Sequence, residues 1–212
     1  SDRPKYNLSW EMEKVGISYR TNFFSSVKTI VFTDKEISLI SKNKVLFLIG
    51  KDEIKNIRCG IEWISGIEFY IGRVYCIDIS DGADKILQIK LRSIYGYNKI
   101  ILGEKFTQII RLLYAFYFDD IILKFFADVE SGSDIEIGNI TINNKGIIFD
   151  NRKPEGILEW GDLKIVEYSH YFALSSKMKP DFYKAFTYLT DWNAVLIHSI
   201  STKIKEKSES TN

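Results

Sequence analysis

The fold of this chain is decided by a stretch that occurs twice: residues 30–39 read IVFTDKEISL, and residues 140–149 read ITINNKGIIF. In each stretch an apolar run reaches a polar turn that contains a lysine, and a second apolar run follows. This pattern predicts two strands joined by a turn. Later in each half, YNKIIL at 97–102 matches WNAVLI at 192–197. A repeated strand pattern followed by a repeated helix start predicts two copies of one module.

The two copies differ in length. The offset between the first pair of stretches is 110 residues, and at the aligned asparagines of the second pair it is 95, so the second copy is shorter by 15 residues. Between these landmarks, residues 53–57 (EIKNI) line up with residues 162–166 (DLKIV). Residues 61–70 have no clear counterpart later in the chain. The additional segment of the first copy is therefore predicted to lie there.

Composition excludes several classes of protein. The chain has 212 residues, of which 45% are apolar and 27% charged, as in an ordinary folded domain rather than a disordered segment. Its net charge of +1 provides no one-signed field that would attract nucleic acid, so no nucleic-acid partner is predicted. Charged residues interrupt every apolar run within a few positions, which argues against a membrane-spanning segment.

Cysteine usage and the first residues of the chain favour a cytoplasmic location. Cys59 and Cys76 have neither the spacing of a metal site nor that of a disulfide framework. Each lies in an apolar run, which predicts a small buried side chain. The sequence opens with polar residues and no apolar signal segment, so a reducing cytoplasm is the expected location.

Hydrophobic periodicity predicts a strand-rich first half that ends in a helix. An Asp-Gly pair at 81–82 is typical of a hairpin. From Glu104 apolar residues recur every three or four positions, which predicts a helix, and Asp119 suits the start of a further helical turn. The SGSD sequence at 131–134 breaks this pattern and predicts a boundary between domains at 1–130 and 131–212. The predicted strands are 27–32, 37–40, 45–49, 57–63, 67–71, 75–79 and 86–91.

The second half shows the same change from strand to helix pattern. Asn193 is predicted to cap a final helix whose inward face carries Ile197, Ile200 and Ile204. Strands spaced this closely favour an antiparallel meander or barrel over alternating strands and helices. The predicted strands are 135–137, 140–142, 147–149, 157–160, 163–168, 171–174 and 183–188.

A set of antiparallel strands followed by one amphipathic helix resembles the pleckstrin-homology-like (PH-like) fold. The residues that carry the resemblance are Gly146-Ile147, residues 159–163 (EWGDL) and Trp192-Asn193. The tandem form is similar to uncharacterised bacterial proteins with two such domains, and the resemblance covers about residues 27–117 and 135–207. It implies a mainly β protein with helices, built as two bent antiparallel barrels that are each closed by a C-terminal helix. It also implies a binding or scaffolding module with no catalytic residue, cofactor or metal.

Three aromatic residues in the longer first copy are candidates for contact with a partner. Trp63, Phe69 and Tyr70 lie in or beside the segment that lengthens this copy. An exposed aromatic cluster would anchor a protein or peptide, because Trp and Tyr contribute strongly to interfaces. The alternative interpretation is a core filled by large rings. Self-association also remains open, since edge strands of two barrels can pair.

Basic residues at two predicted turns are candidates for contact with an anion. Lys42 and Lys44 in the first copy, and Arg152 and Lys153 in the second, are the nearest approach to the basic cluster with which PH-like domains hold a lipid headgroup. Without an arginine-bearing cluster that grips phosphate in a bidentate way, specific inositide binding is not expected. Solvated hairpin tips are the alternative explanation for these residues.

No motif predicts catalysis. His170 and His198 are not in a metal-ligand spacing. The Ser-x-x-Lys pattern occurs at Ser25, Ser41 and Ser176, which is expected by chance in a lysine-rich chain. A non-enzymatic function is therefore predicted.

Overall fold

The computed structural model describes residues 14–21, 25–149 and 156–210. Strands make up 43% of this part of the chain and helices 29%, and the strands form four antiparallel sheets. The mainly β class predicted from the sequence is confirmed. No strand pairing joins the sheets into a closed barrel within the described residues.

The first sheet is a four-stranded meander in the order β1-β2-β3-β4. The repeated stretch at 30–39 forms the β2–β3 hairpin, where the Thr33 amide donates to the Glu36 carbonyl at 3.1 Å. Strand β1 is absent from the sequence prediction because VGISY buries only Ile17 and Tyr19. The strands are β1 (Val15–Tyr19), β2 (Lys28–Phe32), β3 (Glu36–Ser41) and β4 (Lys44–Gly50).

The second sheet is a three-stranded meander of β5 (Asn56–Ser65), β6 (Tyr70–Ser80) and β7 (Ile86–Ile94). The prediction of separate strands at 67–71 and 75–79 is wrong, because residues 67–69 lie in the β5–β6 turn and the rest belongs to the single strand β6. Between the two sheets the chain makes one 3-10 turn at Lys51–Glu53.

A long helical segment follows the second sheet. Helix α1 (Lys99–Leu113) passes through a π-helical turn (Tyr114–Phe118) into α2 (Asp119–Glu130). The helix begins directly after Asn98, where the repeated stretch YNKIIL predicts a helix start, and five residues before the apolar periodicity that begins at Glu104. It ends at the predicted break at 131–134.

The second half repeats this order of elements with shorter strands. A four-stranded sheet leads through a 3-10 turn at Trp160–Asp162 to a three-stranded sheet and then to α3 (Ala194–Ser210). Ile197, Ile200 and Ile204 of α3 are buried, as predicted. The strands are β8 (Ile135–Ile137), β9 (Ile140–Ile142), β10 (Gly146–Ile148), β11 (Ile157–Glu159), β12 (Leu163–Glu167), β13 (Tyr171–Ser176) and β14 (Tyr183–Thr187).

The aligned residues of the two halves occupy matching places. Glu53 and Asp162 end the two 3-10 turns, and each accepts a backbone hydrogen bond at 2.9 Å, from the amides of Gly50 and Met178 respectively. A hydrogen bond is the main cause that lowers the pKa of each carboxyl. The Gly50 amide donates to Glu53, and the Ser176 hydroxyl donates to Asp162. Asn98 and Asn193 both have left-handed backbone, with φ of 53° and 63°, immediately before a helix.

The two halves pack together along the free edge of β5. The Cys59 amide donates to the Tyr188 carbonyl at 3.1 Å, and the Asn193 amide donates to the Ile57 carbonyl at 2.6 Å. The Asn193 side chain adds three bonds: it accepts from the Ile57 amide at 2.9 Å and donates to the Lys55 carbonyl at 3.2 Å and to Asn56 Oδ1 at 3.1 Å. Asn193 therefore links the halves in addition to preceding α3. Buried side chains of both halves form one connected cluster.

Candidate interaction surface

The β5–β6 hairpin extends well beyond its counterpart in the second half. Its strands have 10 and 11 residues, whereas β12 and β13 have 5 and 6. The extra length falls on the predicted segment at 61–70. The hairpin is closed by a turn in which the Gly66 amide donates to the Phe69 carbonyl at 2.7 Å. The backbone at Gly72 passes so close to β7 that a Cβ atom there would lie 2.4 Å from the Ser93 carbonyl oxygen.

The hairpin carries large apolar side chains into solvent. The exposed fraction is 38% for Trp63, 101% for Ile67, 68% for Phe69 and 66% for Tyr70. These aromatic rings therefore do not fill a core. Exposed apolar side chains grouped on one surface are typical of a contact site for another molecule.

Ring contacts hold Trp63 in place on the hairpin. Its ring centroid lies 5.4 Å from that of Tyr70 and 6.4 Å from that of His170 in the second half. The Arg73 guanidinium carbon lies 4.2 Å from the Trp63 ring centroid, within the range of a cation–π interaction. Trp63 is therefore supported on several sides and loses little side-chain entropy if a partner covers it.

Apolar exposure continues onto the end of β7. Ile94 pairs with Gly72 in register, and the Tyr95 amide donates to the Ile71 carbonyl at 2.7 Å. Both Ile94 and Tyr95 are exposed. We refer to Trp63, Ile67, Phe69, Tyr70, Ile94 and Tyr95 together as the hairpin surface.

Two of the four predicted anion-contacting residues, Lys42 and Lys44, lie away from the hairpin surface. Lys42 and Lys44 are exposed at the β3–β4 turn, where Lys42 and Asn43 have left-handed φ values of 48° and 61°. This turn belongs to the first sheet, whereas the hairpin surface is built on the second. Arg152 and Lys153 lie outside the described residues.

The two histidines lie near a mainly apolar cavity of about 380 Å³ between the halves, lined among others by Ile61 and Phe106. His198 Nε2 and Glu167 Oε1 are 2.9 Å apart. Among the described residues no nucleophilic side chain is hydrogen-bonded to this pair, and no three His, Cys, Asp or Glu side chains are grouped to hold a metal ion. Burial raises the pKa of the nearby Cys59 thiol to about 12, so it stays protonated and unreactive at neutral pH.

Sequence reasoning missed part of the hairpin surface. The sequence pattern predicts a strand at Ile67, although the preceding Ser65-Gly66 pair is itself a turn signal. No local sequence pattern predicts that Ile94 and Tyr95 belong to this surface, because their position beside the hairpin depends on the pairing of β6 with β7.

Comparisons with models of protein families, with curated proteins and with solved structures find no match to this chain. Within the described residues no helix is both long enough and apolar enough to cross a bilayer.

Proposed function

We propose that this chain is a non-catalytic interaction module that binds a protein or peptide through the hairpin surface. Each half is proposed to be a PH-like unit in which a four-stranded sheet, a three-stranded sheet and a C-terminal helix enclose one part of the connected core. The cytoplasm is the proposed location, in keeping with the free, buried Cys59 and Cys76.

The observation that carries this proposal is the exposed aromatic hairpin of the first copy. Residues 61–70 are absent from the second copy, and none of them is buried. Of the residues at 61–70, Ile61 alone is among the partly buried side chains that pack against the core. Aromatic side chains on a hydrogen-bonded hairpin provide a large contact area and lose little conformational entropy on binding. Such side chains therefore contribute strongly to protein interfaces.

The test compares two pairs of exposed aromatic residues. Native chain, a Phe69→Ser/Tyr70→Ser variant and a Tyr168→Ser/Tyr171→Ser control are each used to capture proteins from the native cell, and the captured proteins are quantified. Tyr168 and Tyr171 are exposed at the matching hairpin of the second copy. We expect a partner that native chain and control retain and the Phe69/Tyr70 variant loses. Equal capture by all three chains would reject the hairpin surface as the binding site.

An anionic membrane surface is the second candidate. Lys42 and Lys44 are exposed at the β3–β4 turn next to exposed Val45 and Leu46, which combines positive charge with apolar side chains at one tip. Salt-sensitive sedimentation with anionic vesicles, lost in a Lys42→Gln/Lys44→Gln variant, is the result expected of this function. Absence of any sedimentation with vesicles would remove it.

A further inference from the structure

A second surface feature lies in the first copy, between β1, β7 and the start of α1. It is a cavity of about 380 Å³ between strands that stand at the edges of different sheets. Lys105 of α1 reaches across to β1, where its ammonium group donates to the Ser18 carbonyl at 2.5 Å. The cavity therefore lies between the outer strands of the two sheets.

The charge of this cavity has one sign. Arg20, Arg92 and Lys105 line it, and among the described residues that line it there is no aspartate or glutamate. Within the described part of the chain neither Arg20 nor Arg92 forms an ion pair, in contrast to Arg58, which pairs with Asp78 at 2.9 Å. Three cations brought together without a compensating carboxylate favour a multiply charged anion over a neutral ligand.

The remaining walls match a small organic group. Val27, Ile101 and Leu102 provide an apolar side. Tyr19 also lines the cavity, and burial raises its pKa to about 12, so this phenol stays neutral near physiological pH. A ligand with one strongly charged end and a compact uncharged part would contact both the basic residues and the apolar side of the cavity.

We propose that this cavity binds the phosphate group of a small phosphate ester, held by Arg20, Arg92 and Lys105. The planar guanidinium groups match the oxygen geometry of phosphate, and the lysine adds a third positive charge. A phosphate monoester carries close to two negative charges at neutral pH, more than a single carboxylate. This site uses residues other than the hairpin surface and is independent of the function proposed for that surface.

Arg92 offers a variant with a close control. It lies on the solvent-facing side of β7, and Lys90 lies two residues earlier on the same face with the same charge, outside the cavity. The native chain, Arg92→Gln and Lys90→Gln are titrated calorimetrically with inorganic phosphate and glycerol phosphate at low salt. We expect binding to native chain, a loss of affinity of about tenfold or more in Arg92→Gln, and a change of less than about twofold in Lys90→Gln. Equal melting temperatures establish that all three chains are folded.

Vesicles distinguish the source of the phosphate. Phosphatidylcholine vesicles with and without phosphatidic acid present the same group on a lipid. Sedimentation with phosphatidic acid that Arg92→Gln abolishes assigns a lipid headgroup, whereas binding of glycerol phosphate alone assigns a soluble ester. No binding of any of these probes by native chain, or equal weakening in Lys90→Gln and Arg92→Gln, overturns the proposal.

Discussion

The β5–β6 and β12–β13 hairpins hold the same place in the two halves but differ at their tips. In the shorter hairpin Tyr168 and Tyr171 stack on each other, with ring centroids 4.4 Å apart and planes 16° apart. In the longer hairpin Ile67 and Phe69 extend into solvent. The buried residues of β5, Ile57 and Cys59, lie in its first half, so the additional length is built outside the core. Residues that the fold does not require are available for binding.

The first prediction contrasts the asparagines that precede the two helices. Asn193→Ala removes buried hydrogen bonds to β5 and places alanine at a φ of 63°, so we expect it to lower the free energy of unfolding by about 3 kcal/mol or more. Asn98→Ala meets the same backbone cost, but Asn98 is exposed and makes no side-chain cap bond, so about 1 kcal/mol is expected. Urea denaturation measures both. Equal losses would show that Asn193 does not link the halves.

The second prediction contrasts two arginines that each lie over a tryptophan. The Arg58 guanidinium carbon is 4.3 Å from the ring centroid of Trp192 at the junction, and Arg58 also pairs with buried Asp78. Arg58→Ala leaves that carboxylate without its cation, which is expected to cost about 2 kcal/mol. Arg73→Ala on the hairpin removes only a surface contact with Trp63 and is expected to cost less than about 1 kcal/mol. Thermal and urea unfolding measure both losses of stability. A larger loss in Arg73→Ala than in Arg58→Ala would show that the hairpin is part of the core.

The third prediction concerns the turns of the repeated stretch. In the first copy the Tyr117 hydroxyl donates to the carbonyls of Thr33 and Glu36, at 2.7 and 2.8 Å. In the second copy Trp160 Nε1 donates to the Asn143 carbonyl at 2.9 Å instead. Tyr117→Phe is expected to cost about 1 kcal/mol, because the Thr33 carbonyl loses this hydroxyl as a donor, whereas the Glu36 carbonyl still accepts from the Thr33 amide.

The same variant has a pH signature. Burial raises the pKa of Tyr117 above its ordinary value of 10. The folded state holds the proton of the Tyr117 hydroxyl more tightly than the unfolded state does. The contribution of this group to the free energy of unfolding is therefore complete below about pH 10 and is lost as the pH rises further. Native chain should therefore lose more stability than Tyr117→Phe above pH 10. Parallel loss in the two chains would contradict this role.

The smallest effect on stability is expected at the tip of the longer hairpin. Phe69→Ser/Tyr70→Ser should change the free energy of unfolding by less than about 0.5 kcal/mol, because both side chains are largely exposed. Circular dichroism and urea denaturation provide the measurement. A large loss would place these rings in the core and remove the contrast between the hairpins.

Periodicity predicted most strands, the buried face of α3 and the place of the longer segment, because these depend on local alternation of apolar residues. It did not predict β1, where few side chains are buried. The bonds of Asn193 to β5 join residues more than 130 positions apart. Arg20, Arg92 and Lys105 likewise come together only through the arrangement of edge strands and helix, so no local pattern marks them.

Amide hydrogen exchange of the chain with and without its captured partner tests the central claim most directly. Binding through the hairpin surface predicts slower exchange at residues 64–71 and 94–97, and unchanged exchange at 167–171, the tip of the matching hairpin. Slower exchange confined to the second copy, or to the cavity between the halves, would contradict the account.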